Sequence, residues 1–302
     1  MSSLITPSLW HNACLIYEKH LKTTGKPIGR RKLADVLGIS ESLARGLLFA
    51  IRNQHVFTLK SQIVSEQKDI ELVLADLHIP YHDQLAVNTV FDYLDTEHIT
   101  PTIITILGDL IDFYKISRFS KDPTRKSVRQ EIDEARNFLN FLRNKYPDAR
   151  IFYLYGNHEQ RLTRYIADNA QEIYDLVQDL LEVRLNVKEL NITVYTEPFR
   201  IGKLWHLHGH ERVGSYQPEH ITNVIWKYVH DHFIVGHFHR NQEKVFKRID
   251  GELYWGGAVG HLATSFEYAL LNNWTQGFAI IRYDDRGRFR ATIKTVYKGE
   301  VF

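Results

Sequence analysis

Five short stretches of this chain are built almost wholly from side chains that bind metals. They are Asp76-Leu77-His78, Gly108-Asp109-Leu110-Ile111-Asp112, Gly156-Asn157-His158-Glu159, His208-Gly209-His210 and Gly236-His237-Phe238-His239. Carboxylate, imidazole and amide donors together make a mixed oxygen and nitrogen set that suits Mn, Fe or Zn. A ligand set without cysteine argues against a structural zinc site of the Cys type. Two hard cations about 3.5–4 Å apart need a bridging anion, and Asp109 is the carboxylate expected to fill that role. A single histidine would say little, because the chain has 16 and most must be surface or core residues. Three glycine-flanked histidine pieces and two aspartate pieces, each behind an apolar run, carry far more weight.

The elements that must position these residues can be read from periodicity. Ile70-Glu71-Leu72-Val73-Leu74-Ala75 reads as a buried strand that ends at Asp76. A helix is expected over Gln84 to Leu94, followed by a strand over Thr102 to Leu107 that delivers Gly108-Asp109. Val128, Ile132, Ala135, Leu139 and Leu142 then form a helical stripe, and the strand Ile151 to Tyr155 ends at Gly156-Asn157. Strand, ligand loop, helix is thus repeated, and loops at strand ends suit ligands because a sheet holds the backbone fixed. A polar helical stretch from Arg161 to about Leu185 is expected to wall the site. Further strands are expected at Ile192–Tyr195, Leu204–Leu207 and Phe233–Val235, the last two delivering His208 and the pair His237 and His239. His206 and His210 flank His208 at alternate positions and are read as neighbours, while His82 and His261 are read as ordinary histidines. Hairpins are expected to turn at Asp250-Gly251 and Asp285-Arg286-Gly287.

Residues 1–57 read as a separate helical domain. Ser8 is expected to cap a helix whose face carries Trp10, Cys14, Tyr17 and Leu21. A second helix from about Arg30 would bury Leu33, Val36 and Leu37, with Gly38 turning the chain. Ser40 would cap a third, with Leu43, Leu47, Ala50 and Ile51 buried. Short helix, glycine turn, capped helix is the helix-turn-helix layout, and Leu33 to Ser40 resembles the core of such motifs in DNA-binding proteins. Arg30, Arg31, Ser42, Arg45 and Arg52 are the residues expected to meet nucleic acid there. The first 60 residues hold nine bases and three acids, a charge of +6, which leaves −4 for the rest of a chain whose net charge is +2. A basic head on an acidic body points to an anionic polymer as partner. Residues 58–69 are expected to be a linker, after one short strand around Val56-Phe57, and 70–302 the main domain.

Hydrophobic and charged fractions of 44% and 25% are those of an ordinary globular chain, and no apolar run approaches the roughly 20 residues that span a bilayer. The N-terminal residues lack a basic start with an apolar core, so a secretory signal is not expected. Cys14 is the single cysteine, which excludes an internal disulfide and fits a reducing compartment. A cytoplasmic protein, of a bacterial cell or a phage-infected host, is expected.

The ordered set D-x-H, G-D-x-x-D, G-N-H-E, H-G-H and G-H-x-H resembles the calcineurin-like metallophosphoesterase superfamily over roughly residues 70 to 302. The resemblance implies an α/β (α+β) fold, a two-sheet β-sandwich flanked by helices with a dinuclear metal site, here preceded by the small all-α domain. It implies one metal held by Asp76, His78, Asp109 and His239, and a second held by Asp109, Asn157, His208 and His237. His158 would lie near the scissile phosphate and stabilise or protonate the leaving oxygen, making it and Asp109 the catalytic pair. Asp112 is expected to orient a ligand histidine and not to ligate. Two divalent ions are expected, Mn first, with Fe, Zn, Ni and Mg as alternatives.

Protein phosphatases of this superfamily carry arginines after G-D-x-x-D and before G-N-H-E, which hold a phosphomonoester dianion. Here those positions are Phe113 and Tyr155. The sequence resembles phage and bacterial members more closely, including DNA repair exonucleases. The expected function is therefore a phosphodiesterase, a nuclease on DNA, with Arg161 in the main domain and the head binding the polymer. Two alternatives stand beside it: a phosphatase or small-nucleotide phosphodiesterase whose head mediates assembly, and a DNA-binding regulator with a vestigial site. The partner expected is nucleic acid, with no membrane and with a homodimer as the default assembly.

Overall fold

The computed structural model describes residues 7–41, 44–45, 47–48, 51, 69–118, 122–177, 179–211, 218–264 and 272–302. The chain divides into two units, Met1–Glu66 and Gln67–Phe302, with separate cores. Among the described residues no helix is long and apolar enough to cross a membrane.

In the first unit, α1 (Pro7–Thr24) and α2 (Arg30–Leu37) are followed by helical residues 41, 44–45, 47–48 and 51. Ala13, Tyr17, Leu33 and Ala34 close on Ala44, Leu47, Leu48 and Ile51. Gly38 ends α2 at φ 62 and ψ 37, the left-handed conformation that only glycine adopts without cost. Two expectations need correcting. Helix α1 already runs at Pro7, so Ser8 lies inside its first turn. Val36 is 57% exposed, because the face that packs is Leu33, Ala34 and Leu37. The expected strand at Val56-Phe57, linker residues 58–68, Ser42, Leu43, Ala50 and Arg52 lie outside the described residues, as do the side chains of Trp10 and Cys14.

The second unit is two sheets back to back. The larger has seven strands: β1 (Asp69–Leu74), β2 (Ile103–Leu107), β3 (Arg150–Leu154), β4 (Ile192–Tyr195), β10 (Gln276–Tyr283), β11 (Phe289–Tyr297) and β12 (Glu300–Val301). Their order is β12-β11-β10-β1-β2-β3-β4, with β1 to β4 parallel and β10 antiparallel to β1. The smaller sheet has β5 (Phe199–Ile201), β6 (Leu204–Leu207), β7 (Phe233–Val235), β8 (Gln242–Lys247) and β9 (Leu253–Ala258) in the order β5-β6-β7-β9-β8. The first strand opens at Asp69, one residue into the expected linker.

Strand alternation explains the layers. Leu72 and Leu74 of β1 point to helices α3 (Gln84–Thr96) and α4 (Val128–Lys145), against Val90, Leu94, Ile132 and Leu139. Val73 and Ala75 point the other way, onto Leu204 and Ile234 of the second sheet. The outer face of that sheet, through Phe233 and Val235, is covered by Ile221 and Ile225 of a helix at Ile221–Val229. Each fully buried side chain of this size contributes roughly 1.5–3 kcal/mol. The order is helix, sheet, sheet, helix.

By the same alternation Glu71 and His206 meet between the sheets, both fully buried. Glu71 accepts from Thr105 Oγ1 at 2.5 Å and Tyr283 Oη at 2.6 Å, and His206 Nε2 lies 2.9 Å from it. Burial alone would raise the Glu71 pKa, but His206 and these hydroxyls outweigh it and hold the carboxyl below its ordinary value. His206 therefore ties the sheets together and does not face the cluster of His208.

Candidate metal centre

All the parallel strands end at one edge of the sandwich, and the five ligand-rich pieces follow them. The backbone there is unusual. Asp76, His78, Asp109, His237 and His239 all have positive φ, between 50° and 67°. Such a conformation costs an L-residue roughly 1–2 kcal/mol and persists where surrounding bonds over-determine it. Those bonds are present: Asp76 N–H donates to Gly108 O, His78 N–H to Asp109 O, and His237 N–H to Asp76 Oδ2 at 2.8 Å. The glycines of the motifs serve close approach. A Cβ on Gly108 would stand 2.1 Å from His208 Nδ1, and one on Gly156 2.2 Å from Asp109 Oδ1.

Three groups of donor atoms result. Asp76, His78 and His239 form one, Asp109, His208 and His237 another, and His78, Asp109 and His158 a third that joins them. His78 Nε2 and His239 Nε2 face each other at 3.2 Å, and His239 Nε2 lies 3.3 Å from Asp76 Oδ1, a buried oxygen that accepts no hydrogen bond from the described residues. Metal–nitrogen bonds of about 2.0–2.1 Å put neighbouring ligand atoms roughly 3.0–3.4 Å apart, so this spacing fits a divalent cation. Asp109 Oδ2 lies between the groups, 3.3 Å from His208 Nε2, 3.7 Å from His158 Nε2 and 4.0 Å from His78 Nε2. Asn157 Oδ1 is 3.2 Å from His208 Nε2. The seven side chains expected to ligate are thus brought together, and His158 lies beside them.

The other ring nitrogens are anchored. His208 Nδ1 donates to Leu107 O at 2.8 Å, and His158 Nδ1 to Asp112 O at 2.8 Å. His78 Nδ1 is 3.1 Å from Asp112 Oδ1. Each anchored Nδ1 leaves Nε2 aimed into the cluster, the tautomer a metal needs. His210 instead bonds Gln160 Nε2 at 2.8 Å.

Charge balance in this cluster is uneven. Burial, together with its like-charged neighbour Asp109, pushes the Asp76 carboxyl up to about 6 against the pull of His208 and His78. Burial would also raise Asp109, but His158, His208 and His78 around it hold it well below the carboxylate range. Burial tends to lower His208, yet Asp109 and Asp76 win and push it up to about 10. His237 and His239 are held well below the ordinary imidazole value by burial first and neighbouring histidines second, so both are neutral and ready to ligate.

Glu159 was not singled out by sequence, yet four donors converge on it. Its Oε2 accepts from Asp109 N at 3.0 Å and Gly156 N at 2.7 Å, and its Oε1 from Ile111 N at 3.1 Å and Tyr153 Oη at 2.8 Å. It ties the second and third ligand loops to each other. The only sequence signal was its place as the last letter of G-N-H-E.

Of the residues expected to meet nucleic acid, Arg161 reaches the cluster. Its Nη2 donates to His158 Nε2 at 2.7 Å and its Nη1 to Asp112 O at 2.8 Å. Arg30 and Arg31 share Glu41, each at 3.2 Å, and Arg45 is exposed; all three belong to the other unit. Phe113 and Tyr155 are turned inward: Phe113 is fully buried and the Tyr155 hydroxyl is enclosed.

No curated protein matches the chain. Among solved structures, a hypothetical protein from Pyrococcus horikoshii OT3 is similar at 14% identity and a TM-score of 0.44, covering 75% of this chain and 87% of that one. Nuclease MPE of Pseudomonas putida is similar at 16% identity and a TM-score of 0.31, covering 74% and 87%. Neither likeness is strong enough to carry an assignment. A family model does: that of the calcineurin-like phosphoesterases matches residues 72–271, well over half the chain and all five ligand-rich pieces. Sandwich, strand-end loops and paired histidine and aspartate groups belong with that match, and the chain is a member of the calcineurin-like phosphoesterase family, whose activity is metal-dependent phosphoester hydrolysis.

Proposed function

We propose that this chain is a phosphodiesterase acting on nucleic acid, DNA first, with Mn as the favoured metal. The observation that carries the reading is the single guanidinium at the cluster. Among the described residues Arg161 alone brings one to His158, while the positions that would supply two more hold the inward-facing Phe113 and Tyr155. A diester carries one negative charge, which one guanidinium matches. A monoester dianion would be left under-matched.

Two divalent ions held by Asp76, His78, Asp109, Asn157, His208, His237 and His239 would activate water and offset charge on the phosphate. The chain's own groups do the rest. Asp109 and Asp112 raise the His158 pKa above its ordinary value against the effect of burial, so it holds a proton readily. Arg161 Nη2 now donates to the nitrogen that must carry that proton. A bound phosphate offers Arg161 a better acceptor, which frees His158 Nε2 to be protonated and to serve the leaving oxygen.

The head, residues 1–57, adds salt-sensitive affinity for the polymer in this reading. Its +5 charge and the exposed Arg45 support it, and the exposed pairs of Arg30 and Arg31 with Glu41 are weak enough to yield to phosphate. Purified protein with Mn is expected to cleave bis-p-nitrophenyl phosphate faster than the monoester, and single- and double-stranded DNA and RNA assayed in parallel name the polymer. Faster cleavage of the monoester would sink the reading. Removal of 1–57 is expected to spare small-diester turnover and weaken DNA binding.

A further inference from the structure

Beside the metal cluster opens a cleft of about 440 Å³ whose inner end is Asn157 and Arg161. Its floor is one face of α5 (Glu159–Asn169), where Arg161, Arg164, Tyr165 and Asp168 recur at helical spacing, one turn of about 5.4 Å apart. Arg118 faces them from the loop after β2. The roles of these residues differ. The guanidinium of Arg161 is committed to His158 and Asp112. Those of Arg118 and Arg164 are exposed, and among the described residues neither forms an ion pair. Tyr165 is 45% exposed, a large aromatic face that the apolar core does not use. Asp168, about two turns along the helix from Arg161, adds a carboxylate to the lining.

Arg164, Tyr165 and Asp168 succeed one another along α5 beyond Arg161, and Arg118 lines the same cleft, with neither Arg118 nor Arg164 in an ion pair among the described residues. We propose that this cleft is a subsite for one nucleotide next to the scissile linkage of a single strand. Arg118 and Arg164 hold its phosphate, Tyr165 stacks on its base, and Asp168 repels the phosphate beyond it. Phosphate is the natural partner of paired guanidiniums, and base stacking on tyrosine is tolerant of sequence. The inference deepens the nuclease reading and rests on it for the identity of the strand. It assigns specificity to residues that need not touch the reacting atoms.

The test uses the full-length protein with Mn and a phosphorothioate-linked oligothymidylate as an inhibitor of bis-p-nitrophenyl phosphate hydrolysis, so that it does not depend on cleavage of the oligonucleotide. The double variant Arg118→Ala/Arg164→Ala is expected to raise the inhibition constant about ten-fold or more, as loss of charge-assisted bonds should. Its kcat and KM for the small diester should stay within about two-fold of the parent. Tyr165→Ala should weaken inhibition and Tyr165→Phe should restore it. Inhibition by inorganic phosphate, which has no base to stack and competes at the cluster itself, should be unchanged. An oligonucleotide that does not inhibit the parent, or inhibits parent and double variant equally, overturns the subsite. So does equal loss of inhibition by inorganic phosphate or a parallel fall in small-diester turnover. If the same sequence with ordinary phosphodiester linkages inhibits through the cleft but is never cut, the subsite stands and the nuclease reading is removed instead.

Discussion

Glu159→Gln is the most informative single change at the centre, because it keeps the side chain's shape and alters only what it can accept. The carboxylate receives four hydrogen bonds, two on each oxygen, from Asp109 N, Gly156 N, Ile111 N and Tyr153 Oη. Burial and the charge of Asp109 push its pKa up, but four converging donors favour the ionised form they bind. A glutamine has one accepting oxygen. Its best arrangement keeps that oxygen on Asp109 N and Gly156 N and sets the NH2 where Tyr153 can turn to accept, which strands Ile111 N–H. One stranded buried N–H costs about 1–3 kcal/mol. For a unit of this size each kcal/mol lowers Tm by about 2–4 °C. The loop that carries Asp109 is loosened at the same time, and loss of such supporting bonds typically weakens metal binding about 10–100-fold. Thermal unfolding in EDTA and calorimetric titration with Mn read the two effects separately. A glutamine variant that matches the parent in both would refute the role given to Glu159.

Gly156→Ala is expected to abolish Mn binding with little change in far-UV circular dichroism, since its Cβ at 2.2 Å must drive Asp109 Oδ1 back by about an ångström. Retained Mn affinity would show that Asp109 needs no fixed position. Glu131, fully buried behind Asp112, has its pKa pushed up to about 8 by burial first and the charge of Asp112 second. A carboxyl raised in the fold stabilises below its unfolded value and loses that contribution as pH climbs through the folded one. Glu131→Gln should therefore gain roughly 2–3 kcal/mol relative to the parent between about pH 6 and 9, read from urea unfolding in EDTA. A constant difference across that window contradicts the assignment. His208, pushed up to about 10 in the metal-free protein, must shed its proton to ligate. Mn affinity should then rise about ten-fold per pH unit between about pH 7 and 9, and a flat profile in calorimetry would count against His208 as a ligand.

The strands and the loops that end them were legible because period-2 apolar runs and metal-binding side chains are both visible in one dimension. Strands β2, β3, β4, β6 and β7 lie within a residue of their expected places. The helix at Ile221–Val229 was not read, because Ile221, Thr222, Val224 and Val229 are β-branched and carry little helical signal. It forms since Ile221 and Ile225 find an apolar sheet face to cover, a fact of tertiary packing. Short β5 and β12, of three and two residues, are too brief to show a period. At the centre the donor types were readable, but the five left-handed conformations were not, because Asp and His favour positive φ only weakly and the bonds that impose it come from loops distant in sequence. His206 looked like a companion of His208, and only the pairing of the two sheets shows that it belongs to Glu71. The cleft along α5 depends on which residues of a polar helix face a loop far away in sequence, and periodicity does not supply that.

Two cations are proposed to share Asp109, and counting them is the most direct test. Metal-stripped protein titrated with Mn and followed by electron paramagnetic resonance should take up two ions per chain, with coupled spins once both are bound. Hydrolysis of bis-p-nitrophenyl phosphate should appear only as the second ion fills. A single ion per chain at full activity, or two that stay magnetically isolated, would contradict the reading of Asp109 as the shared ligand.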